Sequence, residues 1–430
     1  MASTKNKLLY VYIYNKFAGV LFFEQGNLSF QYDNDYLHNE KAKPLSYSMP
    51  LYKEAYGHKI VEPFFSGLLP EEGIRRKIAK YLHISTQNTF GLLKAIGGEC
   101  AGAISLQTEK HGLYQDQEYK ILTNEESYEL LSHLDKRPML VGEKDIRISG
   151  AGAQDKLIIS IIDNKIAIPL KNTPSSYIIK PEIEGFTNTV ENEYFCMTLA
   201  RKIGLPVPET TIYRLKDKNF YLVARYDRKI LKDGDIQRLH QEDFCQALNI
   251  PPIQKYENEG GPGLKQCFEL LDNKIKNGLM AGENKLILLK GIIFNYLIGN
   301  RDAHGKNFSI LYEDDSESLS PFYDLLCTCI YTGLHKTKMA MKIGGKYKFE
   351  EINTQQFEKL SNDIGFRFDF VKKQIIDITK KLNIEAKILI EQLNNDKRYN
   401  NDIYQSIINV IEENSKRLTL YEVSDSKKLK

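Results

Sequence analysis

Asp302 and Asn307 stand in the run Asn300-Arg301-Asp302-Ala303-His304-Gly305-Lys306-Asn307, with four residues between carboxylate and carboxamide. An aspartate and an asparagine at that spacing, on a loop between an apolar helix and a strand, suit phosphoryl transfer. One carboxylate takes or orients the proton of an attacking hydroxyl, and the amide binds magnesium without adding negative charge. Seventeen positions beyond Asn307, Asp324 closes the run Pro321-Phe322-Tyr323-Asp324 and offers a second magnesium ligand. His304, inside the loop, is expected to fix the loop backbone by hydrogen bonding, because no other His or Cys lies close enough to share a metal with it.

Upstream, Ser149-Gly150-Ala151-Gly152-Ala153-Gln154-Asp155-Lys156 lies between two strand-like runs. Small residues there predict a glycine-rich hairpin whose N–H groups approach phosphates closely. The chain has no GxxxxGK[ST] in this region, which excludes a Walker-type site. Lys180 ends the strand Tyr177-Ile178-Ile179-Lys180, where a kinase places the lysine that neutralises nucleotide phosphates. Glu193, with Glu191 as the alternate, sits on the next helix and is expected to pair with Lys180. Each feature is common on its own. The order of glycine-rich loop, strand lysine, helix glutamate, D-x-x-x-x-N and a final acid is the order of a kinase nucleotide site.

The elements that must hold these residues divide the chain in three. Leu8 to Tyr14, Gly19 to Phe23 and Leu28 to Tyr32 alternate as short strands, and Ile74, Ile78 and Tyr81 share one helical face, predicting an α/β module over 1–107. A polar stretch from Gln107 to Glu118 reads as a linker. Over 108–236, strand-like runs at Leu157 to Ile162, Ile166 to Pro169, Tyr177 to Ile179 and Tyr221 to Val223 surround one helix, Thr189 to Ile203, with Asn188 as its N-cap and Gly204 as its stop. From 237 to 430 the periodicity is helical: Glu242 to Leu248, Leu264 to Ile275, Asn284 to Ile298, Phe357 to Ile364, Phe370 to Leu382, Ile384 to Leu393 and Asp402 to Arg417. A polar hairpin is expected at Asp314 to Ser318 and a frayed tail at Ser424 to Lys430. Lys255 to Gly263, with Gly260-Gly261-Pro262-Gly263, reads as a helix-connecting turn or an ordered loop near a substrate or partner, and stays outside the site.

With 42% hydrophobic and 27% charged residues the chain is expected to fold as a soluble protein rather than remain disordered. A net charge of +3, from 59 basic against 56 acidic residues, gives no support to a general nucleic-acid binder. Six scattered cysteines without a CxxC pair read as reduced thiols of a cytoplasmic protein. Leu8 to Tyr14 is too short to span a membrane, and no membrane partner is expected.

Several blocks resemble the HipA family of bacterial serine/threonine kinases. They are Arg147-Ile148-Ser149 through Lys156, Tyr177 to Lys180, Asn192-Glu193-Tyr194, Arg225-Tyr226-Asp227-Arg228, Arg238 to Asp243, Lys255-Tyr256-Glu257 through Gly263, Asp302 to Asn307, and Pro321 to Asp324. The resemblance implies an α+β, atypical protein-kinase-like bilobal fold related to lipid kinases, with a small N-terminal module and a mostly helical C-terminal lobe. It implies ATP and Mg2+ as cofactors and Asp302 as catalytic base. Asn307 and Asp324 are the metal ligands, and the nucleotide set is Ser149, Gly150, Ala151, Gly152, Ala153, Gln154, Lys156, Lys180, Arg225, Tyr226, Asn307 and Asp324. Ser149 is the implied autophosphorylation site. The implied partners are a HipB-like helix-turn-helix antitoxin, operator DNA reached mainly through it, and a protein substrate such as glutamyl-tRNA synthetase. A small-molecule or lipid kinase, and a catalytically idle corepressor, remain open alternatives at this stage.

Overall fold

Alternation of apolar and polar residues near the N-terminus produces the expected antiparallel strands, Lys7–Ile13, Lys16–Glu24 and Asn27–Tyr32, and Ile104–Gln107 returns to pair with the first. The computed structural model describes residues 7–110, 117–313, 316–333, 338–396 and 399–419. Residues 111–116 of the polar 107–118 stretch, Asp314 and Asp315 of the expected hairpin and the Ser424 to Lys430 tail therefore lie outside the described residues. Helices His58–Gly67, Glu72–Tyr81 and Thr89–Ile96 cover the first sheet, burying Phe64, Phe65, Ile74, Ile78 and Leu93 against Leu9, Val11, Leu21 and Phe30.

A second, six-stranded antiparallel sheet runs in the order Tyr119–Ile121, Lys165–Pro169, Leu157–Ile162, Tyr177–Lys180, Lys218–Ala224 and Thr210–Leu215. Helix Thr189–Ile203 packs on its last two strands and also on the long helix Phe368–Asn394 of the C-terminal part. That part is mainly helical, with Leu264–Lys276, Glu283–Leu297, Thr354–Asp363 and Ile403–Thr419 around a core of Phe268, Leu289, Phe294, Tyr296, Phe357 and Ile407. The chain is α+β as expected.

Four local expectations are corrected. The glycine-rich segment is not a hairpin: Ser149 N donates to Glu99 O at 2.8 Å and Glu71 N to Gly152 O at 3.1 Å, so the segment before Leu157 is stapled to the N-terminal module. Asn188 bounds its helix but does not cap it; it adopts left-handed backbone (φ 60) and its side-chain oxygen accepts from Asn401 Nδ2. Phe370 to Leu382 and Ile384 to Leu393 form one helix, because Asn383 turns its amide back onto Thr379 O at 2.8 Å and across to Ser415 Oγ at 2.9 Å instead of breaking the turn. Glu242 belongs to the strand His240–Asp243, and only Phe244–Ala247 is helical, capped by Asp243.

The three parts meet at Glu99. Its buried carboxylate is bonded by Arg225, Arg228 and Arg238, while Asp227 takes further bonds from Arg225 and Arg228. Burial opposes charge on Glu99, yet the three guanidinium groups outweigh it and hold the carboxyl well below the usual carboxylate range. Removing that charge leaves three buried cations facing Asp227 alone. We expect Glu99→Gln to lower stability by about 3–5 kcal/mol. The check is the urea midpoint of the full chain, and an unchanged midpoint would show the cluster to be energetically neutral.

Candidate active site

Tyr177–Lys180, an inner strand of the six-stranded sheet, sets the first wall. Lys180 lies opposite Tyr221 in the register, its Nζ 5.5 Å from the centre of that ring, and is buried with helix Thr189–Ile203 behind it. Lys180 Nζ bonds Glu193 Oε1 at 2.8 Å, the partner chosen from the sequence, and also bonds Asp324 Oδ1. Glu191, the alternate, bonds Asn219 Nδ2 instead. Burial opposes charge on all three groups. Lys180 and Lys156 nevertheless keep Asp324 ionised, down to about 2, and the two carboxylates keep Lys180 charged. Burial and Asp324 push Glu193 upward against the pull of Lys180.

The floor is the loop after helix Glu283–Leu297. Asn300 Oδ1 accepts from Asp302 N at 3.0 Å, and Asn307 Oδ1 accepts from His304 N at 3.1 Å, so two carboxamides fold the loop back on itself. Lys306 Nζ is tied to Asp243 at 2.5 Å. Tyr323 donates to the Lys306 carbonyl at 2.7 Å, which joins the Asp302 to Asn307 loop to the Asp324 segment. Asp324 itself has left-handed backbone (φ 53), a conformation that costs most non-glycine residues about 1–2 kcal/mol and that Asp and Asn adopt more readily than others.

His304 does not play the part expected from the sequence. Burial pulls it down to about 4, so it is neutral, and its Nδ1 is buried without a hydrogen-bond partner. Asn300 and Asn307 hold the loop instead, and the imidazole stands edge-on to Tyr256 at 5.2 Å.

Between wall and floor lies a cleft of about 730 Å3. It brings together every residue singled out from the sequence: Ser149, Gly150, Ala151, Gly152, Ala153, Gln154, Lys156, Lys180, Arg225, Tyr226, Asp302, Asn307 and Asp324. Two of them sit differently from expectation. Arg225 lines the cleft, but its Nε, Nη1 and Nη2 are all engaged by Asp227, Glu99, Ser175 and the Cys100 carbonyl. It is a wall residue whose guanidinium is committed to the fold, which leaves its backbone to face the cleft. Ser149 is 1% exposed, with Oγ donating to Leu68 O at 2.7 Å, so its hydroxyl is stored inside the protein. Tyr226 stacks on Tyr323, with ring centres 5.7 Å apart.

Asn307 Nδ2 lies 3.5 Å from Asp324 Oδ2. A carboxylate and a carboxamide side by side are hard donors of the kind magnesium uses when phosphates and water complete its shell. The amide nitrogen is the atom turned toward Asp324, so ligation requires the amide to rotate. No cluster of three His, Cys, Asp or Glu that could hold a metal occurs among the described residues.

The segment Lys255 to Gly263, left out of the site by sequence reasoning, borders the same cleft: Tyr256 donates to Asp302 Oδ1 at 2.7 Å. The KYE and GGPG runs were its signal.

Residues 148–387 match the HipA-like C-terminal domain and residues 9–107 the HipA N-terminal domain. A candidate kinase of Sinorhizobium fredii is 40% identical over 82% of this chain and 84% of its own length. The serine/threonine-protein kinase toxin HipA of Shewanella oneidensis is 27% identical over 89% of both chains. The structure of the Shewanella oneidensis HipA, HipB and operator DNA complex contains a chain that superposes with a TM-score of 0.80 at 24% identity, covering 95% of this chain and 97% of that one.

Lys156 gives the site a pH signature. Burial brings it down to about 8, against the opposing pull of Asp324, and its Nζ bonds the Ala151 carbonyl at 2.5 Å. Above about pH 8 the free protein must take up a proton before Lys156 can meet a phosphate. We therefore expect affinity for a non-hydrolysable ATP analogue to be level below that pH and to fall above it by up to about tenfold per unit. Calorimetry from pH 7 to 9.5 checks this, with Lys156→Arg expected to flatten the fall. A level profile in the parent protein would remove Lys156 from the phosphate site.

Proposed function

The chain belongs to the HipA family, and from that premise we propose that it is an ATP- and magnesium-dependent serine/threonine protein kinase acting as the toxin of a toxin–antitoxin pair. The observation that carries this reading is the meeting, in one cleft, of Lys180 held between Glu193 and Asp324 with the Asp302 to Asn307 loop. The three units proposed are 1–107, 108–236 and 237–430; apolar clusters beneath the first sheet, beneath the six-stranded sheet and among the C-terminal helices support three units, with helix Thr189–Ile203 giving its buried face to the C-terminal cluster across the second boundary.

In this reading the backbone of Gly150 to Gln154 covers the phosphates, and Lys180 and Lys156 neutralise them. Asp302 accepts the proton of a serine or threonine hydroxyl as its oxygen bonds the γ-phosphorus; the bond from that phosphorus to the bridging oxygen breaks, and ADP leaves. Asn307 and Asp324 would hold magnesium, which supplies positive charge against the phosphate oxygens. Lys306, fixed by Asp243, keeps the loop in place.

Ser149 is the proposed autophosphorylation site. Its hydroxyl is buried against Leu68, so the segment must leave its seat to be modified. A phosphate of about −1.5 to −2 charge could neither return beside that carbonyl nor tolerate nucleotide phosphates nearby, and the enzyme would be off. A HipB-like helix-turn-helix antitoxin, with operator DNA bound through it, is the proposed partner, supported by the likeness to the Shewanella complex. The proposed substrate is a protein of translation such as glutamyl-tRNA synthetase. A cytoplasmic site of action is part of the proposal; no described helix is long and apolar enough to cross a membrane.

Incubating the full chain with magnesium and ATP should add phosphate at Ser149, read by intact mass and peptide mapping. Asp302→Asn should slow the addition by at least about 100-fold. Absence of phosphate from the wild-type protein, with Ser149 recovered unmodified, would count against both the activity and the assignment of Ser149.

A further inference from the structure

Residues 255–263 are built onto the catalytic loop. Gly305 N donates to Lys255 O at 3.3 Å, and a Cβ on Gly305 would lie 2.5 Å from Pro262 Cγ, so the two loops touch where no side chain fits. Gly261 is equally confined, with a Cβ there 2.3 Å from Gln254 O. Glu257 Oε2 accepts from Lys342 N at 2.6 Å, anchoring the segment to the C-terminal part. A surface turn has no need of such constraints. Their result is a fixed Tyr256, with its ring edge-on to His304 and its hydroxyl 2.7 Å from Asp302 Oδ1.

The residue before it reaches the other way. Lys255 Nζ bonds Glu71 Oε2 at 2.8 Å and Glu72 Oε1 at 3.3 Å, both on the N-terminal module. Glu71 is buried, and its other oxygen lies 3.6 Å from Lys306 Nζ of the catalytic loop. The backbone of Glu71 holds Gly152 of the glycine-rich segment. One residue of the N-terminal module therefore touches the glycine-rich segment, the catalytic loop and the loop that bears Tyr256.

We propose that Tyr256 is a positioning residue for Asp302, and that Glu71 fixes it through Lys255, making the N-terminal module part of the phosphoryl-transfer apparatus. By donating to Oδ1, the phenol sets the rotation of the carboxylate so that its second oxygen presents to the acceptor hydroxyl. The phenol acts on the Asp302 carboxylate, which is not among the residues assigned to the nucleotide, so the effect of its loss falls on turnover. The proposal rests on the kinase reading above.

The experiment uses the full chain with magnesium and ATP, measuring phosphate added to the protein and to a general protein acceptor, nucleotide affinity and the urea midpoint. Tyr256→Phe keeps the ring and should lower kcat by roughly 10- to 100-fold with the KM for ATP and the midpoint unchanged. Combined with Asp302→Asn it should cost nothing further, since a residue that acts through Asp302 has no effect once Asp302 is gone. Lys255→Met should reproduce the loss and Lys255→Arg restore most of it. An active wild type with Tyr256→Phe of equal kcat, or additive losses in the double variant, would overturn the role of Tyr256. Unchanged turnover in Lys255→Met would overturn the part given to the module. A wild type that binds ATP but phosphorylates neither itself nor the acceptor would overturn the kinase reading, and this proposal with it.

Discussion

Glu99 is the charge around which the molecule is assembled. Its side chain pairs with three guanidinium groups, Arg225 and Arg228 from the second unit and Arg238 from the start of the third, and its backbone carries the glycine-rich segment through Ser149 N. Five ionised groups buried together would be costly unless each had partners of opposite sign and further hydrogen bonds. Those are supplied by Ser175, by the Cys100 carbonyl and by Gly102 N, which donates to Asp227. An arrangement so dependent on geometry has few alternatives, which fixes how the N-terminal module sits against the sheet that bears Lys180.

The cleft follows a similar logic with a different outcome. Lys180 shares its charge between Glu193 and Asp324, and Lys306 between Asp243 and, more distantly, Glu71. Among the described residues Lys156 hydrogen-bonds the Ala151 carbonyl, and burial weakens its hold on its proton. Lys180 and Lys306 are thus paired with carboxylates, whereas the bonded partner of Lys156 is a neutral oxygen.

Much of this was readable from residue order. Lys180, Glu193, Asp302, Asn307 and Asp324 could be placed because their chemistry needs fixed residue types, and the strands around Leu157 to Lys180 because apolar runs there are bounded by turns. What escaped reading is tertiary. Helix His58–Gly67 carries Pro63, a local sign against helix, and is held by the burial of Phe64 and Phe65. Asn383 resembled a break, but Ser415 from a distant helix gave its amide a reason to stay within one. Arg225 lay in the right block for a nucleotide contact, and only the distant Glu99 shows why its guanidinium is engaged elsewhere. Lys255 and Tyr256 looked like a turn because the groups they bond, Glu71 and Asp302, are 184 and 46 positions away.

That distance has a consequence for how the parts depend on one another. Contacts within the six-stranded sheet would position Lys180 whether or not the N-terminal module were present. The glycine-rich segment and Lys255 are different, because each is secured by a partner on that module: Glu99 O for Ser149 N, Leu68 O for Ser149 Oγ, Glu71 N for Gly152 O, and the Glu71 carboxylate for Lys255. Losing the module would expose the buried arginines of the Glu99 cluster and free both loops together. The glycine-rich segment and the loop that bears Tyr256, to which the proposed function gives the phosphates and the base, are therefore conditional on the N-terminal module, while Lys180 and its two carboxylates are held by the rest of the chain.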